Sequence, residues 1–95
     1  MEYKLVSPLL TRHVEPWADY MGQNNVFDKM PPAREAVMIR KAVEFGWFAG
    51  DAPNVDEMLP IDTVKLGTTI IRTFNEVMGF NRPNLPAASP DTPKE

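Results

Sequence analysis

The segment PAREAVMIRKAVEFGWF (residues 32–48) restricts the fold of this chain more tightly than any other. Ala36, Ile39, Ala42 and Val43 recur on one face of a 3.6-residue period, with Met38 and Phe45 widening it. Arg34, Arg40, Lys41 and Glu44 take the opposite side, where Arg40 and Glu44 have the spacing of an i,i+4 ion pair. Met30-Pro31-Pro32 disfavours helical geometry just upstream, and Gly46 supplies a C-terminal stop. The pattern predicts a helix over 32–45 whose apolar face the rest of the chain must cover.

A second helix is predicted over 61–78. Asp62, Lys65, Thr69, Arg72 and Glu76 form a polar stripe, while Val64, Gly67, Ile71, Phe74 and Met78 form an apolar seam broadened by Leu66, Ile70 and Val77. Gly67 costs about 1 kcal/mol relative to Ala in mid-helix. A close helix crossing would account for it, as would simple tolerance. Pro60 stands near the first turn, and Asp56, Glu57 and Asp62 put negative charge where the helix N-terminus favours it. Gly79 closes the helix, with Phe80 placed to fold back on the last turn.

The N-terminal third is less regular. Tyr3 to Val6 reads as extended, and Ser7-Pro8 has the chemistry of a helix start. Pro16 divides the stretch from Leu9 to Asn25, because proline inside a helix costs about 3 kcal/mol. The expectation is a turn from Leu9 and a separate helical segment near Pro16 that uses Trp17, Tyr20 and Met21 to cover the central helix. Gly22 to Asn25 has loop chemistry, and Val26, Phe27 and Met30 are apolar residues of a connection expected to tuck against the core. Residues 81–95 contain four prolines and one large apolar residue, Leu85, which suggests a flexible tail. The fold class expected is all-α. It comprises one domain over residues 1–80, two main antiparallel helices at about 32–45 and 61–78, a broken N-terminal helical region and a Pro-rich tail.

With 95 residues, such a domain buries only roughly 60 to 65% of the surface its unfolded chain exposes, so it is marginal alone. The net charge of −3 and the scattering of the ten Lys and Arg argue against nucleic-acid binding. The absence of cysteine excludes disulfides, Cys-ligated zinc and thiol catalysis, and points to a reducing cytoplasm. No run approaches 18 apolar residues, so no membrane partner is expected.

Chemistry is sparse. His13 is the single histidine, and the expected break at Pro16 would prevent it from aligning with Glu15 and Asp19 as ligands. The acidic run Asp51, Asp56, Glu57 and Asp62 lacks the alternation of a calcium loop. Ser7 and Ser89 lie in no nucleophile motif, and the five glycines stand singly. No catalytic residue, metal or cofactor is assigned, and an enzyme is not expected. What remains is a surplus of large soft apolar groups, suited either to the core or to a groove for a partner's helix. The residues assigned to a partner surface are Trp47 and Phe48, which come after the central helix in a turn, together with Met58 and Trp17. An open apolar seam on either long helix would favour a homo-oligomer.

Three stretches in order, REAVMIRKAVEFGWF, then Val55-Asp56-Glu57-Met58-Leu59-Pro60, then VKLGTTIIRTFNEVMGFNRP, resemble the small tail assembly chaperones of long-tailed bacteriophages. The shared order is a helix ending in a Gly-Trp turn, a Val-Asp-x-Met-x-Pro segment, and a helix followed by a Pro-containing tail. The resemblance spans roughly residues 33–83 and does not extend to the N-terminal part. It implies a non-enzymatic helical protein of the host cytoplasm that coats the tape-measure protein during assembly and is absent from the finished virion. The other readings open at this point are a structural or adaptor component retained in a particle, and a small regulatory module that binds another protein.

Overall fold

The computed structural model describes residues 3–79. Three helices dominate: α1 (Thr11–Gln23), α2 (Ala33–Glu44) and α3 (Pro60–Met78). Two residues at the N-terminal end, β1 (Lys4–Leu5), pair antiparallel with β2 (Phe48–Ala49), Lys4 opposite Ala49 and Leu5 opposite Phe48. Short 3-10 turns at Val26–Asp28 and Val55–Glu57 lead into α2 and α3. The expected tail and the placement of Phe80 lie outside the described residues.

Helix α2 forms the centre. Glu35, Met38, Ile39 and Ala42 are buried at spacings of three, four and seven, the signature of one covered helical face. Its C-terminus is a Schellman motif. The Trp47 N–H donates to the Ala42 carbonyl at 2.9 Å and the Gly46 N–H to the Val43 carbonyl at 3.2 Å, with Gly46 at φ 81°. That left-handed step turns the chain so that the Val6 N–H donates to the Trp47 carbonyl at 2.8 Å, and the extended N-terminal lead-in gains a partner strand.

Helices α2 and α3 run antiparallel. Glu35 near the start of α2 meets Gly67 in the middle of α3, whereas Arg40, later in α2, reaches Asp56 just before α3 begins. Along α3 the buried positions are Thr63, Gly67 and Ile70, with Phe74 half-buried against Trp17. The seam is therefore rotated from the expected one, and Val77 and Met78 stay exposed. A Cβ on Gly67 would fall 2.5 Å from Glu35 Cγ and 3.0 Å from its Cα, so the close crossing is what requires glycine.

The N-terminal helix is not broken. Helix α1 is continuous from Thr11 to Gln23 with Pro16 inside it. The missing Pro16 N–H would have served Arg12, which is exposed to solvent that can hydrate its carbonyl. Val14, Trp17 and Met21, on both sides of the proline, are buried in one cluster with α2 and hold the helix together. Nor does Ser7-Pro8 start the helix. Leu10 is the N-cap, and its N–H donates to Nδ1 of His13 at 2.9 Å, so the imidazole takes the place usually held by Glu or Gln three residues into the helix.

The surface ion pairs also differ from the spacing rule. Glu44 accepts from Lys41 at 2.8 Å, while Arg40 bridges to Asp56 at 2.7 Å. The second bond ties α2 to the 3-10 turn before α3. Exposed pairs of this kind contribute little to stability, because solvent screens them.

Candidate functional site

Two of the four residues expected at a partner surface are core. Trp17 and Trp47 are both fully buried, with ring centroids 4.9 Å apart and planes tilted by 39°. Each indole satisfies its N–H on the other side of the interface. Trp17 Nε1 donates to the Met38 carbonyl at 3.1 Å, and Trp47 Nε1 donates to the His13 carbonyl at 2.7 Å. The Gly-Trp turn thus locks α1 to α2. Its aromatic residue faces inward because the Schellman geometry points the chain back across the helix end. Val26 is buried beside them, and Phe27, half-exposed, meets Trp17 edge-on at 6.4 Å.

Phe48 and Met58 retain partial exposure. Phe48 packs edge-on against Tyr3 at 6.1 Å across the strand pair. Met58 lines a depression of about 580 Å³ with Leu59, Leu66, Tyr3 and Thr69, ringed by Lys4, Lys65, Glu57 and Asp62. Its charges are mixed in sign, and they dilute the apolar floor.

A second concavity, about 600 Å³, lies between α1 and the C-terminal end of α3. Leu10, Val14 and Ala18 line one wall and Phe74, Val77 and Met78 the other, over a floor that includes Leu9. Thr11, Glu15 and Asp19 form the rim on α1. On α1 the lining positions recur at 11, 14, 15, 18 and 19, the stripe expected of a helix with a second covered face. Leu10, Val77 and Met78 are each 43–47% exposed and share this one groove, while Met30, Leu59 and Ile61 elsewhere are more exposed still. Sequence reasoning missed this site. The available signals were Val77-Met78 at the end of an otherwise amphipathic helix and the alternate stripe on α1.

Elsewhere the chemistry is structural. Glu35 is 2% exposed; its Oε2 accepts from Arg34 Nε at 3.0 Å and Nη2 at 2.7 Å, while its Oε1 is buried with no hydrogen-bond partner among the described residues. Among those residues no group of three His, Cys, Asp or Glu is placed to hold a metal ion, and no helix is long and apolar enough to cross a membrane. Comparison with protein-family models, curated proteins and solved structures returns no match.

Proposed function

We propose that this chain is a non-enzymatic assembly chaperone of the phage-tail kind, and that it holds a helical segment of a client such as the tape-measure protein through apolar contacts. The observation that carries the reading is the groove between α1 and the end of α3, walled by Leu10, Val14, Ala18, Val77 and Met78. Its two walls are helices, so its long axis suits a third helix laid between them, with anchors at i, i+3 or i+4, and i+7. Exposed Met78 and Leu10 are soft, adaptable contacts for a client that presents varied apolar side chains. The motif order over residues 33–83 supports the same assignment, with the Gly-Trp turn now serving to build the scaffold.

Co-expression with the tape-measure protein encoded in the same genome tests the proposal. The two are expected to co-purify, and the client to lose solubility when this chain is omitted. No co-purification and unchanged client solubility would overturn it.

A further inference from the structure

We infer that the groove between α1 and α3 selects a cationic amphipathic helix, one that carries Lys or Arg beside its apolar anchors; this rests on the groove being the client site. The charge of the groove is one-sided. Glu15 and Asp19 stand on its rim one helical turn apart, and among the described residues no Lys, Arg or His lines it. Neither acid forms an ion pair among the described residues; Asp19 accepts a neutral hydrogen bond, from Gln23 Nε2 at 3.0 Å.

Two like charges at i,i+4 on a helix repel each other. Asp56 is paired with Arg40 and Glu44 with Lys41, whereas the exposed Asp28, Asp51, Glu57, Asp62 and Glu76, like the two rim acids, form no ion pair among the described residues; what sets Glu15 and Asp19 apart is their place beside the groove. On the groove rim the repulsion is left in place beside an uncovered apolar surface. A partner with cations flanking its apolar stripe removes the repulsion and covers Leu10 and Met78 in the same step. An anionic helix would bring like charges together at the rim and is rejected for that reason. At this groove the same acids repel a phosphate backbone.

The experiment uses the full chain and three synthetic helical peptides of equal length with the same leucine stripe, flanked by lysine, glutamine or glutamate, and reads binding by fluorescence anisotropy at low and high salt. The lysine peptide is expected to bind tightest, and to weaken as salt screens the rim. In a Glu15→Lys/Asp19→Lys variant the order of the lysine and glutamate peptides reverses, with each affinity moving roughly tenfold.

Leu10→Glu and Met78→Glu, both at exposed positions and checked for folding by circular dichroism, separate the two levels of the claim. If the three peptides bind alike and these apolar variants abolish binding, the groove is a docking site but the charge selection is wrong. If no peptide binds, or the apolar variants bind unchanged, the groove itself is wrong as a client site. If sedimentation shows a dimer that Met78→Glu dissolves while no peptide binds, a second copy of this chain occupies the groove and the inference fails.

Discussion

Gly67 and Glu35 occupy adjoining space at the crossing of α2 and α3: a Cβ on the glycine would lie 2.5 Å from Glu35 Cγ and closer still to its Cβ. Helix propensity alone says that Gly67→Ala should stabilise by about 1 kcal/mol. Packing says the reverse, because the atoms in the way are the root of a buried side chain and its backbone. We expect Gly67→Ala to lower stability by a net of about 1–3 kcal/mol. Urea denaturation checks the sign. Glu35→Ala added to it should give little rescue, since the Glu35 Cβ remains.

Arg34 and Glu35 should respond unequally. Removing the guanidinium with Arg34→Ala leaves a buried carboxylate with neither oxygen paired, at a cost of about 1–3 kcal/mol. Replacing the acid with an apolar residue of similar length, Glu35→Met, removes the desolvated charge and its unpaired Oε1 together. That change should be neutral or stabilising. Denaturation midpoints of the two variants on either side of wild type would bear this out.

Trp47→Phe tests the interior assignment of the Gly-Trp turn. It keeps most of the apolar volume and leaves the His13 carbonyl without its indole donor, so a loss of about 1–2 kcal/mol is expected. Trp47→Ala should cost about 3–5 kcal/mol, enough to unfold a domain of this size. Thermal melts distinguish this from a surface role, in which both variants would melt like wild type.

The Lys41 ammonium is held above its ordinary pKa by its hydrogen bond to Glu44, against a smaller opposing effect of burial, and it lies 4.2 Å from the centroid of the Tyr20 ring. A raised folded-state pKa means the contribution is fully present below the unfolded value of 10.5 and is lost as pH rises through the folded value. Stability should therefore fall above that point, and Lys41→Gln should flatten the alkaline limb of a stability–pH curve.

Much of the scaffold could be read from the sequence, because α2 and α3 carry long, clean periodicities and their stops, Gly46 and Gly79, have the expected chemistry. Gly67 was compatible with a close crossing or with simple tolerance, and its contact with Glu35 decides for the crossing. Where the reading failed, distant contacts had overridden local rules. Pro16 carries a penalty that burial of Val14, Trp17 and Met21 offsets, so the expected break did not form. Glu35 sits on the stripe with Met38, Ile39 and Ala42, and its charge disguised a core position. Trp47 looked like surface because it comes after a helix end, and only the path set by Gly46 sends it inward. The groove was least legible of all: its walls come from residues about sixty positions apart, and nothing in either segment alone shows that they meet.

Whether the groove between α1 and α3 is the client site is decided by methyl chemical-shift mapping of the full chain, titrated with helical segments of the tape-measure protein. Saturable shifts should cluster on Leu10, Val14, Val77 and Met78, with Met38 and Ile39 in the core unmoved. Shifts centred on Met58 and Leu59, or none with any segment, would contradict it.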